Sequence, residues 1–206
     1  MSGNPGSPAS PRSGPREEIE VKLAAKDLDA LREALRDQGA SLLSSAHEEV
    51  NDLYDFVPSA PDEPSRTLSG TGRTVRLRTA AGKAILTYKG KARFQNGVKT
   101  REEREVEVSD AGEAEGILAG LGLSRRFRYE KRREEWRFED CVIALDETPI
   151  GDFLEVEGDP ASIRRVFVRL GLDFGEGIPY SYAELYHRRR KEEPGLPPDM
   201  VWPEKR

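Results

Sequence analysis

Strand after strand of this chain places like charges two residues apart with aliphatic residues between them. Glu18, Glu20 and Lys22 alternate with Ile19, Val21 and Leu23; Arg76 and Arg78 alternate with Val75 and Leu77; Glu155 and Glu157 alternate with Leu154 and Val156. Residues two apart on a strand point to the same side, so each segment has one charged face and one apolar face. Lys89, Glu103 with Glu105, Lys131 with Arg133, and Asp146 extend the pattern. For a single strand such a stripe is the wet side of a half-buried sheet. For the whole set that arrangement would leave the apolar stripes of three helices with nothing to cover. Turning the apolar faces outward under the helices satisfies both, and the charges then line an interior.

The elements follow from the same periodicities. A strand over Glu18 to Leu23 is followed by a helix that Asp27 caps, with Leu28, Leu31, Ala34 and Leu35 as its stripe and Gly39 as its terminator. Strands are expected at His47 to Phe56, Arg73 to Thr79, Ala84 to Lys91 and Thr100 to Val108, the middle two joined by a short Ala-Ala-Gly turn and hence antiparallel. The stretch Pro58 to Gly72 reads as a mobile loop or lid. A second helix opens at Asp110 with Glu113, carries Ile117, Leu118 and Leu121, and stops near Gly122. Strands at Arg126 to Phe138, Cys141 to Asp146 and Phe153 to Glu157 lead to a helix that Asp159 and Pro160 start, carrying Ile163, Val166, Phe167 and Leu170 and ending at Gly171. Ser181 with Glu184 opens a last helix through Tyr182, Leu185 and Tyr186. The expected fold class is α+β, mainly β: a closed eight-stranded antiparallel barrel with a charged interior and helices outside. An open sheet covered on one face is the competing arrangement. Residues 1–16 read as a disordered tail, 17–190 as the folded domain and 191–206 as a loose C-terminal tail.

Charge lining a closed interior needs partners, because unpaired buried ions are very costly. Six cations, Lys22, Arg76, Arg78, Lys89, Lys131 and Arg133, suit an extended polyanion such as a triphosphate. Seven carboxylates, Glu18, Glu20, Glu103, Glu105, Asp146, Glu155 and Glu157, supply ligands for hard divalent cations that bridge the same phosphates. One cysteine, Cys141, and two histidines, His47 and His187, leave no cysteine-rich zinc site, so oxygen ligands are expected, which favour magnesium, manganese or calcium, with Mg²⁺ or Mn²⁺ preferred. With 33 basic and 38 acidic residues no global field selects nucleic acid. No apolar run is long enough to span a membrane, and the first residues lack the apolar centre of a secretory signal. A soluble, reducing, cytoplasmic setting follows as the expectation, with a monomer or homodimer left open.

In this order the motifs resemble the CYTH family, the triphosphate tunnel metalloenzymes. They are EIEVK at Glu18 to Lys22, NDLYDF with Tyr54, VRLR with Arg76 and Arg78, LTYKG with Lys89, REERE with Glu103 and Glu105, YEKRR with Lys131 and Arg133, ALDE with Asp146, and GDFLEVEG with Glu155 and Glu157. The likeness runs from about Glu17 to Tyr186. It implies an eight-stranded tunnel open at both ends, one metal held mainly by the glutamates of the first and last strands, and a second near Asp146 and the Glu103–Glu105 strand. In some hydrolytic relatives a lysine and a tyrosine orient and deprotonate the attacking water, which implies such roles for Lys131 and Tyr54. The resemblance implies hydrolysis of a small-molecule triphosphate ahead of an adenylyl cyclase making cyclic AMP and pyrophosphate. A non-catalytic polyphosphate-binding module is the third reading.

Overall fold

The computed structural model describes residues 16–57 and 67–203. Nine strands, β1 (Arg16–Ala25), β2 (Ser41–Phe56), β3 (Thr74–Ala80), β4 (Lys83–Lys89), β5 (Arg93–Gln95), β6 (Val98–Val108), β7 (Leu123–Phe138), β8 (Cys141–Thr148) and β9 (Gly151–Glu157), form one antiparallel sheet. Its order is β1-β9-β8-β7-β2-β3-β4-β6, and a direct β1–β6 pairing closes it into an eight-stranded barrel with β5 flanking β6. Antiparallel hairpins build two runs, β2 to β6 and β7 to β9, while β1 is the stave between β6 and β9. The order therefore departs from a simple up-and-down meander.

Four helices, α1 (Leu28–Asp37), α2 (Ala111–Gly120), α3 (Pro160–Leu170) and α4 (Tyr182–Glu192), start where their capping residues stand. Asp27 accepts from Ala30 N, Asp110 from Glu113 N and Asp159 from Ala161 N, and Ser181 with Glu184 completes a reciprocal capping box. Gly171 ends α3 at φ 64°, a left-handed conformation that costs a residue without Cβ least.

The apolar core lies outside the barrel wall. Val21, Ile143, Leu145, Leu154 and Val156, each 1% exposed or less, pack with Leu35 of α1 and Ile163, Val166 and Phe167 of α3. A second cluster joins Leu77 and Leu123 of the wall to Ala114 and Leu118 of α2. The stripes of the strands and of the helices are thus two halves of one packing problem.

Several boundaries differ from expectation, and β2 and β7 start earlier, at Ser41 and Leu123. The chain turns at Asn96 (φ 52°) and Gly97 (φ 78°), making the unexpected strand β5, and the Asn-Gly pair is the sequence signal for it. A Cβ on Gly97 would stand 2.6 Å from the Phe174 carbonyl oxygen, so only glycine fits. Arg16, assigned by sequence to the tail, is the first residue of β1. Within the expected loose C-terminal segment, Met200 is fully buried: its N–H donates to Arg128 O, its carbonyl accepts from Glu130 N, and Asp199 binds Arg125 and Arg128. The physical reason is that β8 pairs with β7 only over Arg132 to Phe138, leaving β7 near Tyr129 with free backbone groups that this segment satisfies. The expected lid and tail fall partly on 58–66, 1–15 and 204–206, outside the described residues; the end of the lid forms a short 3₁₀ turn, Ser69–Thr71.

Phe167 is 1% exposed and stacks on Phe174 with centroids 3.9 Å apart. Phe167→Ala is expected to cost about 3–5 kcal/mol in urea denaturation, while Val168→Ala at the 81% exposed neighbour changes stability by under about 0.5 kcal/mol; equal effects would contradict a core held between α3 and the wall.

Candidate active site

Pairing register decides which face of each strand turns inward. Glu20 lies opposite Glu157 and Lys99, Lys22 opposite Glu155, and Asn51 opposite both Arg78 and Tyr129, so these share the lumen. The lumen is a cavity of about 720 Å³, lined by twelve Lys and Arg and nine Asp and Glu, with Glu49 and Asp146 buried directly behind. All thirteen charged residues expected at the site are drawn into this interior.

They are arranged as ion pairs. Glu18 takes Lys89 at 2.7 Å and Arg101 at 2.8 Å, and Lys89 also reaches Glu103 at 3.2 Å. Glu20 pairs with Lys99 at 2.8 Å, Lys22 with Glu155 at 3.1 Å, and Arg76 with Glu105 at 3.3 Å. Arg133 bridges Asp146, at 2.6 Å, and Glu155. Lys131 pairs with Asp146 at 3.1 Å and Glu49 at 3.5 Å, and Glu49 also meets Arg78 at 3.4 Å. Burial opposes ionisation of Glu155, but Lys22 and Arg133 overcome it and hold the carboxyl well below its usual range.

The exception is one corner. Glu157 is pushed up to about 7, first by burial and then by Glu18, Glu103 and Glu20, which outweigh Arg16 at 2.6 Å. Glu103 is raised too, by burial ahead of Glu18 and Glu105. Glu103 and Glu157 have only shared cations, Arg16 between the two and Lys89 between Glu103 and Glu18, and all donors are hard oxygens, so Glu18, Glu20, Glu103 and Glu157 fit a divalent ion in charge and ligand type. Among the described residues no three such side chains are already gathered at ligand spacing, because each is turned to its ion-pair partner. Asp146 meets Lys131, Arg133 and the Tyr182 hydroxyl at 2.6 Å, and Glu155 meets Lys22 and Arg133.

Tyr54 is a correction. It borders the cavity, but the register sets it opposite Val75 on the outer face, among Leu77, Ala114, Leu118 and Leu123. Its hydroxyl bonds Glu115, and burial ahead of Glu115 pushes the phenol up to about 12. Strand parity in NDLYDF could have found this, since Asn51 and Leu53 take the inward positions. The tyrosines inside are Tyr129, bonded to Arg76, and Tyr182. Burial raises the Tyr129 phenol, but Arg76 and Lys131 prevail and lower it. Tyr182 stands 3.7 Å from Lys22 Nζ and 5.3 Å from Lys131 Nζ, so the first turn of α4 lines one side of the lumen.

Sequence reasoning also missed Arg16, Glu49, Lys99 and Arg101. Lys99 and Arg101 sit at i and i+2 before Glu103 and carried the same signal; Glu49 follows His47 at the same spacing but stands in a run charged on both faces. Arg76 Nε, Arg78 Nε and the Asn51 amide are buried without a partner among the described residues, so the interior is not complete by itself.

An eight-stranded barrel that encloses its charges in pairs defines a class of tunnel-like barrel proteins. The chain belongs to the CYTH family: the CYTH domain matches residues 16–168. Members of that family are enzymes and in general metal-dependent. A protein of Methanocaldococcus jannaschii named "Putative adenylate cyclase MJ0240" is 29% identical over 141 residues, 68% of this chain and 75% of that one. A structure from Vibrio parahaemolyticus, also described as a putative adenylate cyclase, superposes with TM-score 0.67 at 20% identity, covering 82% of this chain and 97% of the other. HpAC1 from Hippeastrum, described as a putative adenylyl cyclase revealing a dominant triphosphatase activity, gives TM-score 0.60 at 22% identity, covering 85% and 96%. Among the described residues no helix is long and apolar enough to cross a membrane.

Two predictions follow from the pairing. Glu49 is 3% exposed, and although burial opposes ionisation, Lys131, Arg133 and Arg78 depress its carboxyl. A depressed carboxyl contributes stability above its unfolded value, about 4.3, and that contribution is lost as pH falls toward the folded value. Glu49→Gln is therefore expected to destabilise by about 3 kcal/mol or more at pH 7, with the gap from wild type closing below about pH 4; a gap independent of pH in chemical denaturation would refute the pairing. Tyr54→Phe is expected to leave enzymatic turnover within about twofold, since it removes only an outward hydroxyl bond of ordinary strength, whereas a deep loss of kcat would place Tyr54 in the lumen after all.

Proposed function

We propose that this chain is a divalent-metal-dependent triphosphatase that cleaves inorganic tripolyphosphate or an organic triphosphate inside the barrel. The observation that carries this reading is the charge balance of the lumen: cations and carboxylates nearly cancel, so a triphosphate needs metal ions entering with it. Lys22, Arg76, Arg78, Lys89, Lys131 and Arg133 would hold the phosphate oxygens, the arginines in bidentate fashion. Glu18, Glu20, Glu103 and Glu157 would hold one Mg²⁺ or Mn²⁺, and Glu105, Asp146 and Glu155 would orient the cations. When bound, the metal supplies neutralisation of phosphate charge.

In hydrolysis, a water oxygen bonds to the terminal phosphorus as the bridging P–O bond breaks, giving orthophosphate and the shortened polyphosphate, with the water proton released. The protein's part is positioning and electrostatic stabilisation by groups already fixed in place. Lys131 and Arg133 are held by Asp146 and Glu49 or Glu155, so they meet the developing charge without reorganising. Tyr129, beside Arg76 and Lys131, takes the water-orienting place that Tyr54 does not reach. A buried Cys141 with no second cysteine is consistent with a reducing cytoplasm.

The second reading is an adenylyl cyclase, favoured by the name of the archaeal relative. It uses the same phosphate grip, with the ribose 3′-hydroxyl attacking the α-phosphorus and pyrophosphate leaving. Incubating the purified protein with tripolyphosphate, ATP and thiamine triphosphate under Mg²⁺ or Mn²⁺ separates the two. Orthophosphate without cyclic nucleotide is the expected result; cyclic AMP with pyrophosphate from ATP would overturn hydrolysis in favour of cyclisation.

A further inference from the structure

Of the twelve Lys and Arg lining the cavity, nine are paired to carboxylates, and three, Arg73, Lys91 and Arg126, have no ion-pair partner among the described residues. All three stand at one end of the barrel. Arg73 and Lys91 lie just past the last β3–β4 pair, Thr74 with Lys89, and a Cβ on Gly72 would stand 3.3 Å from Lys91 Cγ. Arg126 owes its place to a register shift: Leu53 faces Phe127 while Tyr54 faces Arg125, so Arg126 is the extra residue of a bulge, a device that re-aims a side chain. The carboxylates at this end are engaged elsewhere. Asp55 accepts from Leu68 N at 2.6 Å and Ser69 N at 3.0 Å, and Glu184 is bound in the α4 capping box. The opposite end, at Leu43, Glu135, Val142 and Glu157, carries carboxylates, and its cation Arg16 is paired to Glu157.

Unpaired cations at the rim of a concave, low-dielectric site focus positive potential outward and raise the local concentration of an anion. We propose that Arg73, Lys91 and Arg126 form an anion-capture site through which the polyanionic substrate enters the barrel from this end. This rests on the triphosphate reading, and it adds a direction of entry and three residues that act on association and not on the bond-breaking step.

The test uses the full chain with Arg73, Lys91 and Arg126 each changed to Gln, singly and together, beside Arg104→Gln, a control whose side chain pairs with Glu102 away from the cavity. For the triple variant kcat/KM for tripolyphosphate is expected to fall about tenfold or more, through KM, with kcat within about twofold of wild type. The fall of kcat/KM with added salt should flatten in the variant and stay steep in the control. A folded triple variant with unchanged KM and salt dependence, or one that loses kcat at constant KM, overturns the capture site. Calorimetry with tripolyphosphate and Mg²⁺ separates this from the function itself. Wild-type binding without turnover of any triphosphate sinks hydrolysis but leaves the comparison of Kd to decide the capture site, and no binding by wild type overturns both.

Discussion

Every strand of the barrel brings charge to an enclosed space, and the rest of the structure follows from the need to pair it. Glu18 between Lys89 and Arg101, and Asp146 between Lys131 and Arg133, are held at 2.6–3.1 Å. A buried ion left alone would cost several kcal/mol. The registers β1–β6, β1–β9 and β7–β8 that set these pairs also close the cylinder. Shifting any strand by one residue would send its charges into the outer core and its aliphatic residues into the lumen.

Stability and function are consequently housed on opposite sides of one wall. The lumen supplies little hydrophobic driving force, and the packing of α1 and α3 on the outer face of β1, β8 and β9 supplies it instead. This separation lets the interior keep an arrangement that is incomplete by itself, with Glu157 raised by burial among other carboxylates and, among the described residues, buried arginine nitrogens without partners. The polar groups most poorly served by the fold are those that face the cavity, which is where a guest carrying both metal and phosphate would serve them.

Membership of the CYTH family and the pairing inside the barrel bear on different questions. The family states what kind of enzyme this is. The pairing gives the proposed function its reason for a metal to accompany the substrate, and it sets the free cations at one end apart from the paired ones deeper in. Proteins described as a putative adenylate cyclase and as showing a dominant triphosphatase activity share this barrel.

The alternation of charge and aliphatic residues was enough to specify strands with two unlike faces, because the strand period is two, and the stripes and caps of the helices were enough to put the apolar faces outward under them. That is why Glu18, Glu20, Lys22, Arg76, Arg78, Glu155 and Glu157 could be placed inside from the sequence. Partner choice could not be read that way. Whether Lys99 or Lys22 meets Glu20, that Asp146 is consumed by Lys131 and Arg133, that a bulge turns Arg126 to the mouth, and that Tyr54 leaves the interior to Tyr129 and Tyr182 all depend on register between strands far apart in the chain. Local periodicity carries the direction of a side chain relative to its own strand, and only closure of the barrel decides what stands opposite it.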